Sequence, residues 1–165
     1  MAAVLFTCAG QRVDIVSAFG RAGATTVATD LDPLAPALYH ADRHAIAPRI
    51  DDPGYVDFLR AVVAEHDVRL IVPLTDLDHV KLVRAREQLG ALVLLPSEEV
   101  VRRVGDKFTA HTFFEERGIP SPPSWLPADV PDDARYPLLV KVREGFGSRH
   151  IYRAHDRAEL DFFLR

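Results

Sequence analysis

Residues 136–152, YPLLVKVREGFGSRHIY, set a lysine near the end of an apolar run and follow it with a loop that contains two glycines. A period of two places Leu139, Lys141 and Arg143 on one side of an extended segment, and Leu138, Val140 and Val142 on a core-facing side. The first side then carries two cations beside EGFGSRH, where Gly145 and Gly147 stand two apart and Ser148 follows. Glycine lets a backbone take positive φ and lets amide groups come close to a ligand. Consecutive amides can form an anion-binding concavity, to which a lysine adds a point charge. The same stretch also reads as a plain β-hairpin with a glycine turn and a solvated lysine, and a short glycine motif does not separate the two. Lys107 adds a second fixed cation, because it begins a helix that Asp106 can cap.

The elements that must hold these residues fall into two regions. Over the first hundred residues, strand-like and helix-like runs alternate. AVLFTCAG is a continuous apolar run ending at Gly10, as expected of a strand buried on both faces. QRVDIVSAFGRAG spaces Val13, Val16, Ala18 and Phe19 as a helix and stops at Gly23. TTVATD, HAIAP, RLIVPL and ALVLLP are further strands, and PLAPALYHAD is a short helix beginning at a proline. DPGYVDFLRAVVAEH carries Tyr55, Phe58, Leu59, Val62 and Val63 in one stripe, with Asp51 or Asp52 as its cap, and LDHVKLVRAREQLG is a helix with Gly90 past its end. Five strands separated by helices predict right-handed βαβ units and a largely parallel, Rossmann-like sheet.

The rhythm changes near residue 105. DKFTAHTFFEERGIPSPPSW is a capped helix closed by Gly118, a proline-rich approach follows, and two strands then flank the glycine loop before a last helix, DRAELDFFLR. Trp125 and the prolines around it read as packing. The predicted architecture is α/β: a Rossmann-like parallel sheet over 1–105, then a linking helix and a partial antiparallel α+β subdomain over 106–165.

Composition removes several classes. The chain has 165 residues, 48% of them hydrophobic and 27% charged, which suits a globular domain. Its formal net charge of −4, with no run of five or six Lys/Arg, argues against a nucleic-acid partner. No apolar stretch is long enough to cross a bilayer, and the N-terminus lacks the basic leader of a signal peptide, so a cytoplasmic location and no membrane partner are expected. One cysteine, Cys8, excludes an internal disulfide and reads as a small buried thiol rather than a nucleophile. His40 and His44 stand four apart but have no third ligand, so no zinc site is expected.

Ligands of open α/β sheets gather at the carboxyl ends of strands. Arg12, Asp30, Thr75, Asp76 and Asp78 all fall just beyond predicted strand ends. Arg12 can fork onto a substrate carboxylate or pair on the surface, and Asp76 or Asp78 reads as a cap of the following helix. Asp30 follows Gly10 by twenty residues, as in a dinucleotide-binding fold. That fingerprint needs three spaced glycines, and Gly10 is the only one present.

The ordered combination of Asp-Lys, helix, Gly-Ile-Pro, strand with lysine and glycine-serine loop resembles the ATP-grasp superfamily, in particular the carbamoyl-phosphate-synthase-like ligases. DKFTAHTFFEERGIPSPPSW and YPLLVKVREGFGSRHIY are similar to segments of the nucleotide-binding domain, and VLFTCAGQRVDIV and DLDPLAPALYHAD to the pre-ATP-grasp domain before it. The resemblance implies that Lys107 and Lys141 contact ATP phosphates and that Gly145, Gly147 and Ser148 belong to a lid over the β- and γ-phosphates. It implies an ATP-dependent carboxylate–amine (or carboxylate–thiol) ligase acting through an acyl phosphate, with small-molecule carboxylate and amine substrates. Two departures stand out: Val142 replaces the usual proline, and His150 replaces a later glycine. The Mg²⁺ ligands of such ligases come from a second half of the nucleotide domain, after the lid. No suitable pair follows the lid here, and the last helix breaks off on Phe162, Phe163 and Leu164. The expectation is an N-terminal fragment of a longer ligase that does not catalyse alone. The alternative is a non-catalytic binding or dimerisation module, in which an open sheet edge near 150–154 pairs with a second copy as a homodimer.

Overall fold

The computed structural model describes residues 2–145, 147 and 150–165. The chain divides into two compact units, Met1–Val101 and Arg102–Arg165.

In the first unit, β1 (Ala3–Thr7), α1 (Val13–Arg21), β2 (Thr25–Asp30), β3 (Arg43–Ile46), α2 (Tyr55–Glu65), β4 (Val68–Pro73), α3 (His79–Ala85) and β5 (Leu92–Val93) follow in order, and α4 (Glu98–Gly105) begins after them. The sheet order is β3-β2-β1-β4-β5 and every pair is parallel. Each crossover carries a helix or a 3₁₀ turn, which the parallel arrangement requires. Alternation along β1 explains its unbroken apolar run. Ala3 and Leu5 pack with Tyr55, Leu59 and Val62 of α2 and Leu82 of α3. Val4 and Phe6 face the other way, onto Val16 of α1 and onto Ala37 and Leu38. All five β1 residues are buried, because both faces of the sheet are covered.

Three local expectations change. PLAPALYHAD forms a 3₁₀ turn over Pro36–His40, with its proline at the first position and the Ala37 amide donating to the Gly10 carbonyl. Neither Asp51 nor Asp52 caps α2. Gly54 takes that position, Asp52 accepts the Gly54 amide at 2.7 Å in a tight turn just before the helix, and Asp51 pairs with Arg49. The run ALVLLP contributes only Leu92–Val93 to the ladder, and Leu92 on this sheet edge is 68% exposed.

The second unit contains α5 (Lys107–Glu116), a 3₁₀ turn at Pro127–Asp129, β6 (Leu138–Lys141), β7 (Ile151–Ala154) and α6 (Arg157–Phe163). β6 and β7 are antiparallel, with Lys141 opposite Ile151 and Leu138 opposite Ala154. Tyr152 stacks on Phe163, ring centroids 4.9 Å apart, and Ala154 and Leu160 are buried. Asp106 caps α5 and Gly118 ends it with φ +65, as the sequence predicts. Among the described residues no helix is long and apolar enough to cross a membrane.

Leu59 is fully buried between α2 and the sheet. Leu59→Ala should cost about 2–5 kcal/mol in chemical denaturation. Leu34→Ala, at a side chain 77% exposed, should stay within about 0.5 kcal/mol.

Candidate functional site

The second unit brings Lys107 to the beginning of the glycine loop. Asp106 sits in extended backbone before α5, and its Oδ1 accepts the Phe108 and Thr109 amides at 2.9 and 3.0 Å. The helix therefore starts at a fixed place, and Lys107 is its first residue. The Lys107 amide donates to the Arg143 carbonyl at 3.0 Å. Its Nζ donates to the Gly145 carbonyl at 3.0 Å and reaches the Arg143 carbonyl at 3.4 Å.

Arg143, expected with Lys141 as one of two cations beside the loop, is held by a partner the sequence did not indicate. It lies beyond the end of β6, and its guanidinium forms an ion pair with Asp106 Oδ2. The pair holds the Asp106 carboxyl below its ordinary range, chiefly through the Arg143 hydrogen bond, and pushes the guanidinium of Arg143 up. A period of two assigned the side but not the partner. The signal missed was an acid at the helix start that could serve two donors at once.

Lys141 ends β6 and is exposed, beside the exposed Leu139. A Cβ at Gly145 would come within 2.7 Å of Val142 Cγ2, so a larger residue there would require the Val142 side chain to shift. Gly147 holds φ +64, a left-handed conformation natural to glycine, and His150 takes φ +56 without being glycine. Ser148 lies outside the described residues. Among the described residues no three His, Cys, Asp or Glu side chains are grouped so as to hold a metal ion.

In the first unit the strand order turns back between β1 and β4, which puts Thr7, Cys8 and Thr75 at the carboxyl ends where open parallel sheets place ligands. Arg12 precedes α1 and reaches Asp14 at 3.5 Å, a loose exposed pair. Asp30 is committed to backbone: Oδ2 accepts the Gly10 amide at 2.8 Å and Oδ1 the Asp32 amide at 2.9 Å. In a dinucleotide site that loop amide would serve pyrophosphate and that acid a ribose, so here they satisfy each other instead. Asp76 lies near His79, 3.6 Å away.

Asp78 is not the side-chain cap its position suggests. It precedes α3 but makes no capping hydrogen bond. It is fully buried, and Tyr55 donates its hydroxyl to Oδ2 at 2.8 Å. Its Oδ1 and the buried Thr7 Oγ1 make no hydrogen bond of normal geometry. Burial pushes the Asp78 carboxyl up, opposed by the nearby Thr7 and Tyr55 hydroxyls. Cys8, with φ +49, sets its Sγ 3.9 Å from the same tyrosine hydroxyl. Burial, then the Asp78 charge, push its thiol up to about 12, so it stays protonated at neutral pH. Tyr55 entered the sequence reading only as one member of an apolar stripe. The clue it carried was a hydroxyl that burial obliges to find a partner.

The Asp78 carboxyl binds its proton more tightly folded than unfolded, so its contribution is most favourable in acid and declines as pH rises above the ordinary value of 3.8. Asp78→Asn should therefore raise stability at pH 7, with the gain shrinking as denaturation is repeated toward pH 4. Tyr55→Phe has the opposite sign: it strands Oδ2 in the interior and should cost about 1–3 kcal/mol. Asp106→Ala should cost about 0.5–2 kcal/mol through loss of the helix cap.

Comparison with known proteins supplies the lineage. The model of the PylC-like, N-terminal domain matches residues 4–93. Biotin carboxylase of Pseudomonas aeruginosa is 30% identical over 83 residues, which are 45% of this chain and 18% of that protein. The L-amino acid ligase of Bacillus licheniformis superposes with a TM-score of 0.74 at 18% identity, covering 98% of this chain and 41% of the ligase. N5-carboxyaminoimidazole ribonucleotide synthetase of Thermotoga maritima gives 0.71 at 20% identity, covering 98% and 43%. The chain thus spans less than half the length of each of these relatives. The matched segment covers more than half of this chain, which belongs to the PylC-like N-terminal domain family, the Rossmann-like domain that precedes the nucleotide-binding domain of ATP-grasp ligases.

Proposed function

We propose that the chain forms the N-terminal part of an ATP-dependent carboxylate–amine ligase and contributes part of its phosphate site. In this reading Lys107 and Lys141 contact the ATP phosphates, and the loop containing Gly145, Gly147 and Ser148 folds over the β- and γ-phosphates. The observation that carries it is the 3.0 Å contact between Lys107 Nζ and the Gly145 carbonyl. Residues distant in sequence, one opening a helix and one in the loop after a strand, meet there as a phosphate cradle needs. The donor set suits a polyphosphate: an ammonium group beside the loop, a second on the strand leading into it, and a left-handed glycine that lets amides turn inward.

When bound, ATP supplies the phosphoryl group that converts a substrate carboxylate into an acyl phosphate open to attack by an amine. The chain's own part is to hold the polyphosphate charge in place and to keep water from the activated acid. Arg12, at the carboxyl end of the first strand, is the group in the first unit suited to a substrate carboxylate. Mg²⁺ would be held by residues outside this chain. Relatives agree in kind: a biotin carboxylase domain from Hydrogenobacter thermophilus, 22% identical with a TM-score of 0.71, is described as a dimer with MgADP and bicarbonate.

Isothermal calorimetry with ATP tests the reading. Lys107→Ala and Lys141→Ala should each weaken binding at least about tenfold, the effect of losing one charge-assisted hydrogen bond. Affinity unchanged by both substitutions would remove the phosphate site. Measurable dimerisation without ATP binding would favour the assembly module instead.

A further inference from the structure

We propose that Arg143 is a positioning residue for Lys107: it fixes where that ammonium group lies and does not itself meet a phosphate. The inference rests on reading Lys107 as a phosphate contact. Three links tie Arg143 to the start of α5. Its guanidinium pairs with Asp106 Oδ2. Its carbonyl receives the Lys107 amide at 3.0 Å and lies 3.4 Å from Lys107 Nζ. Its guanidinium carbon lies 5.8 Å from the centre of the Phe108 ring. The helix cap and the strand exit are thereby closed into one ring of contacts, with Lys107 inside it.

The arrangement uses properties that lysine lacks. A planar guanidinium can pair edge-on with a carboxylate while its face rests on an aromatic ring. Turning Arg143 toward a phosphate would break both contacts and strip a carboxylate that is also capping a helix. The Gly145 carbonyl, two residues further on, receives Lys107 Nζ at 3.0 Å. An acid and a base that would otherwise be read as surface charges thus set the geometry of a third group.

Two measurements on the whole chain decide it. The first is acetylation of the chain's three lysines by acetic anhydride, read by mass spectrometry with Lys81 and Lys141 as internal references. Arg143→Ala and Asp106→Asn should each raise the Lys107 rate several-fold relative to those references, and an unchanged ratio overturns the proposal. The second is ATP affinity. Arg143→Ala should weaken it about tenfold in the otherwise unaltered chain, but less than about twofold when Lys107 is already alanine. A merely structural role would lower affinity alike in both backgrounds. Arg143→Lys keeps the charge and loses the planar fork, so it should recover little, and full recovery would make Arg143 a phosphate contact and sink the proposal. If ATP does not bind at all, the functional reading fails, and the acetylation ratio still decides whether Arg143 positions Lys107.

Discussion

A carboxylate offers two oxygens, and those of Asp106 face different tasks. One accepts the first free amides of α5 and fixes where the helix begins. The other holds Arg143, which leads from β6 into the glycine loop. The Lys107 amide and ammonium group add hydrogen bonds to the Arg143 and Gly145 carbonyls. Through this one side chain helix, strand exit and loop share an anchor, and Lys107, the next residue, inherits a defined position. The interaction is exposed enough to be weak as a source of stability. Its value is geometric, since a phosphate contact depends on placement more than on the energy that secures it.

The first unit makes a different use of polar groups. Its sheet is covered on both faces, so the apolar strands need no specificity beyond size and branching. At the reversal of strand order, however, Tyr55, Asp78, Thr7 and Cys8 bring oxygen and sulfur together, three of them in buried residues. Burying Asp78 Oδ1 and Thr7 Oγ1 without a hydrogen bond of normal geometry is costly. The cost falls where open parallel sheets place ligands. Asp30 behaves in the contrary way, with its two oxygens taken by the Gly10 and Asp32 amides, which closes the turn that a dinucleotide would need open.

Much of the fold was legible in the sequence because it depends on local rules. The continuous run through Ala3–Thr7 announced a doubly covered strand, Asp106 announced a cap, and Gly118 announced the end of a helix. What escaped depends on contacts between distant residues. Asp78 stands where a cap should be, but a tyrosine hydroxyl 23 positions earlier draws it into the interior. Arg143 lies beyond the end of β6, and periodicity says nothing of the acid it meets there. The run at 91–96 had strand composition throughout, but its pairing is limited to two residues by its place at a sheet edge.

The most direct test of the account is a structure of the chain with a non-hydrolysable ATP analogue. Both ammonium groups should stand within hydrogen-bond reach of phosphate oxygens, about 2.7–2.9 Å, with Lys107 Nζ exchanging the Gly145 carbonyl for phosphate while Arg143 stays on Asp106. An analogue bound away from both lysines, or phosphates held by Arg143 in place of Lys107, would contradict it.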